Sequence, residues 1–221
     1  MREHDDATPR PEPALAGDGP AGRIGATATG APTAATDIAL IGTFAALTAV
    51  CSLVAIPVGP SGAPITLQTF AVLLAGAVLG SRRGALAVLL YLAVGFAGLP
   101  IFAQGVGGPA TFGRVTLGYL IGFPVAAWLV GLIVERLGRR GWALRTGIIA
   151  LAGALGSLAI YAVGVPVLAA RIGVSLAEGI VINNAFLPFD GVKVAFVAIV
   201  AASVHRAFPD LLDRRRTTPD A

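Results

Sequence analysis

Phe189-Asp190-Gly191-Val192-Lys193 opens the last apolar run of the sequence, Val192 to Ala202. Lys193 is the chain's only lysine, and Asp190 stands three residues before it. On a helix that spacing puts both side chains on one face, close enough to pair. The run that follows reads as embedded in lipid. A charge at the centre of a bilayer costs about 2.5–3.5 kcal/mol on insertion scales. The pair therefore needs a reason to be there. It reads either as a structural ion pair that clamps a helix or as a polar grip on a substrate, and the residues alone leave both open.

Composition sets the class. Of 221 residues, 56% are hydrophobic and 13% charged, and the mean hydropathy is +0.82. Soluble domains carry about 25% charged residues. So much apolar surface cannot be hidden in one soluble core of this size, which predicts an all-α polytopic membrane protein with six transmembrane helices. The net charge of +4 does not point to nucleic acid, because the arginines lie between apolar runs rather than on one patch. The single cysteine, Cys51, excludes an intrachain disulfide, and no Cys/His cluster reads as a metal site. The two histidines, His4 and His205, are far apart and read as solvent-facing.

Residues Met1 to Thr36 are rich in Pro, Gly, Ala and Thr without periodic apolar positions, which predicts a disordered tail. The first apolar run begins too late for a signal peptide. The first span is expected from Asp37 to Ile56, closed by Pro57 to Pro64, a stretch that cannot continue a helix. Ile65 to Thr69 leads into the second span, which ends at Gly80; Ser81-Arg82-Arg83-Gly84 then reads as a basic turn. The third span, Ala85 to Leu99, ends at Pro100 in a glycine-heavy loop, Gln104 to Pro109. The fourth covers Thr116 to Glu135 and the fifth Thr146 to Ala169. Leu176 to Phe186 is helical in pattern. The sixth span runs from near Asp190 to near Phe208 and leaves a basic tail over 209–221. Each span meets or approaches the ~20 residues needed to cross.

Six spans put both termini on one side. Arg82, Arg83, Arg136, Arg139, Arg140, Arg145 and Arg214 to Arg216 fall on that side; Arg114, Arg171 and Lys193 fall on the other. The positive-inside rule makes the termini cytoplasmic and turns the proline- and glycine-rich loops, with the Asp190/Lys193 pair, outward.

Polar residues on the outward side are the candidate contacts. Gln68 starts the second span and offers a donor and an acceptor at the rim; as plainly, it is an N-terminal helix residue. Gln104 and the glycines after it could expose backbone N–H groups to an anion, or form a flexible loop. Arg114 suits an acidic ligand or a lipid headgroup. Tyr119 sits inside Gly118-Tyr119-Leu120-Ile121-Gly122, a spacing that favours close helix packing, and it lines a cavity or joins an interfacial belt. Of Asn183 and Asn184, which precede the sixth span, Asn184 is the candidate, with a turn or interfacial role as its alternative. In the first span Ala45 and Ala49, with Gly42 and Ala46, form a strip of small residues fit for internal packing or for docking another chain. No Ser/His/Asp set, nucleotide-binding glycine-lysine pattern or paired carboxylates appear, so neither an enzyme nor a cofactor is expected, and uphill transport would need an outside energy source.

Together these pieces resemble a known family. Pro64-Ile65-Thr66-Leu67-Gln68-Thr69, Leu73-Leu74-Ala75-Gly76 and Gly80-Ser81-Arg82-Arg83-Gly84 look like the first half of the BioY family, the biotin-binding S components of energy-coupling-factor transporters. Gly98-Leu99-Pro100-Ile101-Phe102-Ala103, the glycine loop, Gly118 to Phe123, and Leu187-Pro188-Phe189 through Lys193 continue the match, from about Ile38 to Phe208. The chain departs from the family where Arg114-Val115-Thr116-Leu117-Gly118-Tyr119 stands in place of Gly-Pro-Thr-Gly-Gly-Tyr. The resemblance implies a six-helix bundle over 37–208 that captures biotin from outside the cell membrane. It further implies a membrane coupling subunit, two cytoplasmic ATPase subunits, and docking on Ala45 and Ala49. It would have Asp190 accept from a ureido N–H and Lys193 donate to the ureido oxygen or the carboxylate, with the carboxylate nearer the glycine loop and Arg114. The other classes are an S component or stand-alone transporter for another vitamin or small solute, an intramembrane enzyme, and a purely structural membrane protein.

The topology is testable. A cysteine placed within 81–84, with Cys51 replaced by serine, is expected to resist an impermeant maleimide added to intact cells; labelling from outside would overturn the orientation.

Overall fold

In the computed structural model the described residues are 34–57, 62–136 and 140–213. In chain order they form helix α1 (Ala34–Leu53), strands β1 (Ala55–Pro57) and β2 (Pro64–Thr66), and helices α2 (Gln68–Leu79) and α3 (Ser81–Phe96). Helices α4 (Leu117–Glu135), α5 (Trp142–Ile172), α6 (Leu176–Asn183), α7 (Leu187–Ala207) and α8 (Asp210–Asp213) follow. Short 3-10 turns cover Ala103–Gly105, Gly108–Gly113 and Asn184–Phe186. The expected tail over 1–33, the loop tip 58–61, Arg139 and Arg214 to Arg216 lie outside the described residues. Helix α1 begins at Ala34, inside the stretch read as tail.

Four stretches are long and apolar enough to cross a membrane: α1, α4, α5 and the run Leu176–Ala207. Many of their large apolar side chains face outward, among them Ile38, Leu151, Leu158 and Phe196. A soluble domain would not leave these helices so clad; lipid accepts them at no cost.

Helix α2 is different. Its nine residues from Ala71 to Leu79, and the capping Gly80, are all buried, a pattern for a helix enclosed on every side. It packs against each of the other five long helices. With 12 residues it rises only ~18 Å. It ends at Gly80, whose φ of 83° suits glycine, and α3 starts at once. Ser81 to Gly84, read from sequence as a turn, are therefore the first turn of α3. Gly84 lets α3 lie on α2: a Cβ there would strike the backbone of Ala75 and Gly76.

The pair α4 and α5 is joined the same way. A Cβ on Gly122 would press on the Ile160 backbone, and one on Gly118 on Val163 and Val167. The glycine spacing thus does what small residues do between membrane helices, bringing backbones into contact where no hydrophobic drive separates protein from lipid.

Polar contacts gather the arginine-rich helix ends. Arg83 at the start of α3 lies 2.9 Å from Asp37 in α1. Glu135, at the end of α4, accepts from the Ser81 backbone N–H at 2.9 Å and from its hydroxyl at 2.8 Å, which puts a carboxylate on the positive end of α3. Arg145 of α5 donates to His205 Nδ1 of α7 at 3.2 Å. His205, expected in solvent, is 3% exposed. A helix end enclosed by α2 and α5 is not a free end, and sequence position alone could not show that.

The loops at the opposite end are more ordered than their composition suggests. The proline-rich connection after α1 starts and ends as a hairpin, with Ala55 opposite Thr66 and Pro57 opposite Pro64. In the glycine loop Phe102 pairs with Val106 and is 2% exposed. Its ring stands edge-on to Tyr91 at 5.3 Å and fills the space over Gly95.

The small residues of α1 divide between two faces. Ala45 is 7% exposed and belongs to the core, and Ala49 is half-buried and packs on it. They share the inward side with Thr48, Cys51 and Ser52, while Ala46 points out. Ala45→Leu is expected to cost about 1–3 kcal/mol by overpacking, whereas Ala46→Leu should stay within about 0.5 kcal/mol. Melting temperatures of the two purified variants in detergent check this; equal melting would contradict the assignment of faces.

Candidate functional site

A cavity opens at the end of the bundle away from the arginine cluster. The starts of α2, α4 and α7, the second half of α5 and the loop after α3 build it, and it holds about 670 Å³ counted out to its open mouth.

Asp190 and Lys193 stand in its wall. They are 6% and 8% exposed, and Lys193 Nζ donates to Asp190 Oδ1 at 2.7 Å. The first two turns of α7 bring them together, because Pro188 near the helix start is tolerated where no N–H is needed and the i, i+3 spacing aligns both side chains. Lys193 Nζ also donates to Thr69 Oγ1 of α2 at 3.0 Å, and Thr69 Oγ1 lies 3.3 Å from Asp190 Oδ1. Tyr161 of α5 donates its hydroxyl to Asp190 Oδ2. Three helices therefore meet on one carboxylate.

Gln68 also lines the cavity and is 4% exposed. Its Nε2 donates to the Tyr91 hydroxyl, and its Oε1 accepts from Thr66 at 3.0 Å. Tyr91 passes the chain on to the Ile101 carbonyl at 3.2 Å. The Gln68 side chain is thus oriented before any ligand arrives.

Tyr119 lines the cavity beside Phe186. Its ring lies over Gly164, where a Cβ would collide with it, and its hydroxyl donates to Asn183 Oδ1 at 3.0 Å. Arg114 lines the cavity from the loop side, is partly exposed, and donates to Gln104 Oε1. Gln104 itself is exposed and is not part of the lining. Its φ of 65° is the one positive value among described non-glycine residues, and it turns the side chain back to Arg114.

Of the seven residues predicted to touch a ligand, the cavity gathers Asp190, Lys193, Gln68, Arg114 and Tyr119. Gln104 stands outside the lining and touches it only through Arg114. Asn184 is exposed and is not part of the lining, while its neighbour Asn183, 4% exposed, points inward to Tyr119. The switch follows from the register at the end of α6, where one residue turns the side chain by about 100°. Thr69 and Tyr161 were missed. The usable signal was their hydroxyls, since a polar group in an apolar span must find a partner. All three tyrosines of the chain do so.

The charged groups of the lining are Arg114, Asp190 and Lys193, a net of one positive charge. The pair is compensated and deep; Arg114, which has no carboxylate partner among the described residues, is nearer the surface. The remaining wall is largely apolar, with Phe102, Leu120 and Phe123 among it. Such a cavity can take a small molecule with an apolar body, a hydrogen-bonding head for the pair and one negative charge for Arg114. Among the described residues no group of His, Cys, Asp and Glu could hold a metal ion.

Comparison with known proteins places the chain among its relatives. The model of the BioY family matches residues 25–210. A biotin transporter BioY of Rhodobacter capsulatus is 45% identical over 186 residues, covering 80% of this chain and 96% of that protein. One from Thermotoga maritima is 38% identical over 168 residues, covering 75% and 93%. The crystal structure of an S-component for biotin from an ECF-type ABC transporter matches with a TM-score of 0.70 at 25% identity, over 78% of this chain and 92% of that one. These matches along most of the chain show that the chain belongs to the BioY family.

Proposed function

We propose that this chain captures biotin from outside the cell and carries it across the membrane as the substrate-specific S component of an ECF-type transporter. The observation that carries the reading is the buried Asp190–Lys193 pair in the wall of a largely apolar cavity with Arg114 toward its mouth. Biotin matches that arrangement group by group. Its ureido ring presents N–H donors and a carbonyl acceptor, its thioether ring and methylenes are apolar, and its valerate ends in a carboxylate. In this reading Asp190 accepts from a ureido N–H, Lys193 donates to the ureido oxygen, and Arg114, supported by Gln104, receives the carboxylate. Gln68 and Tyr119 border the ligand.

Six membrane passes with both termini in the cytoplasm fit the clustering of Arg83, Arg145 and their partners at one end. The cavity then opens outward, and the protein resides in the plasma membrane. The sequence carries no nucleotide-binding loop, so ATP-driven uptake requires a membrane coupling subunit and two cytoplasmic ATPase subunits. Docking to the coupling subunit falls to the outer face of α1. There Ala39, Thr43 and Ala46 are exposed and nothing stands over Gly42, a surface on which a partner helix can lie closely. Ala46→Trp is expected to leave biotin affinity unchanged and to lower uptake and co-purification with the coupling subunit; unchanged uptake would remove α1 from the docking surface.

Four proteins test the site: the parent, Asp190→Asn, Lys193→Met and the double variant. Each single change leaves a buried charge unpaired, at a cost of about 3–5 kcal/mol. The double change removes both charges and should restore the melting temperature. Hydrogen bonds to charged groups contribute about 1.5–3 kcal/mol each, so biotin affinity should remain lost when stability returns. Near-parental affinity in the double variant would show that the pair is only structural. Saturable binding of a different vitamin in place of biotin would replace the ligand.

A further inference from the structure

We infer that Tyr161 is a positioning and specificity-determining residue of this site, acting through Asp190. The inference rests on the reading of the cavity as a biotin site. An ionised carboxylate offers four lone-pair directions. At Asp190, two on Oδ1 are taken by Lys193 Nζ and Thr69 Oγ1, and one on Oδ2 by the Tyr161 hydroxyl. Among the described residues nothing takes the fourth direction, on Oδ2, which is left for a donor in the cavity that Asp190 lines.

The three donors come from α7, α2 and α5, so the plane of the carboxylate is held from three sides. At 6% exposure, water competes little for it. Tyr161 is the member whose removal leaves the ion pair and the fold of α7 alone, because its hydroxyl touches the oxygen that the ammonium does not. It also stands in the cavity wall, so its hydroxyl occupies space from which a ligand could reach the same oxygen.

This count of directions discriminates between rings. The two N–H groups of a cyclic urea point apart across the carbonyl, so only one can meet Asp190. A cyclic guanidine presents adjacent, nearly parallel N–H groups that can converge on one oxygen, here Oδ2, when both of its acceptor directions are free. With Tyr161 present the second direction is occupied, and the urea is favoured. With phenylalanine there, the direction is free.

The test uses the purified full chain and its Tyr161→Phe variant, with biotin and its cyclic guanidine analogue 2-iminobiotin as probes. The ring remains in the variant, so its packing is kept and its melting temperature should fall by no more than the loss of one hydrogen bond to the buried carboxylate explains. Losing one hydrogen bond that orients a charged group should weaken biotin binding about tenfold. The preference for biotin over 2-iminobiotin should fall further than a uniform loss allows, by about tenfold as well. Unchanged biotin affinity would overturn the inference. So would equal weakening of both ligands, with or without a lower melting temperature, since loss of packing does not distinguish a urea from a guanidine. A parent chain without saturable biotin binding would sink the ligand assignment, and the inference with it. Parental binding beside an indifferent variant would sink only the role of Tyr161.

Discussion

Placing Asp190 and Lys193 together inside an apolar bundle is the constraint on which the rest depends. Neither charge is tolerable there alone, and their mutual attraction offsets the loss of water only when the remaining lone pairs and protons are also satisfied. Thr69 and Tyr161 supply those bonds. Four side chains on α2, α5 and α7 must therefore arrive at one point, and that requirement ties the packing of three helices to the chemistry of the cavity.

The glycines make the convergence possible. Gly118 and Gly122 bring α4 against α5, Gly164 seats the Tyr119 ring, and Gly84 lets α3 lie on α2. Among lipid-facing helices such close approach supplies the packing that water would otherwise enforce. Glu135 on Ser81, Arg83 beside Asp37, and Arg145 on His205 then hold the opposite end. The bundle is polar and tied at one end, and polar and open at the other, which is the asymmetry a membrane carrier for a small solute needs.

Much of this was legible before any coordinates. The apolar runs, the lone lysine three residues after an aspartate and the glycine spacing depend only on local order, and local order is what a sequence displays. What escaped were properties of facing. Ala45 and Ala46 are adjacent and chemically identical, yet one is in the core and the other outside. Asn183 and Asn184 differ in the same way. A helix covered on one side gives a clear periodic signal, but lipid is as apolar as a core, so periodicity does not mark which alanine faces inward. Tyr161 escaped because its partner lies 29 residues away on another helix, and His205 because burial at a helix end depends on what lies beside it. The β1–β2 hairpin escaped because prolines hid strands of three residues.

A structure of the chain with biotin bound tests the central claim most directly. The account predicts the ureido ring against Asp190 and Lys193, one ring N–H within hydrogen-bond distance of Asp190 Oδ2, and the carboxylate at Arg114. Biotin bound in the reverse orientation, or outside this cavity with the pair untouched, would contradict it.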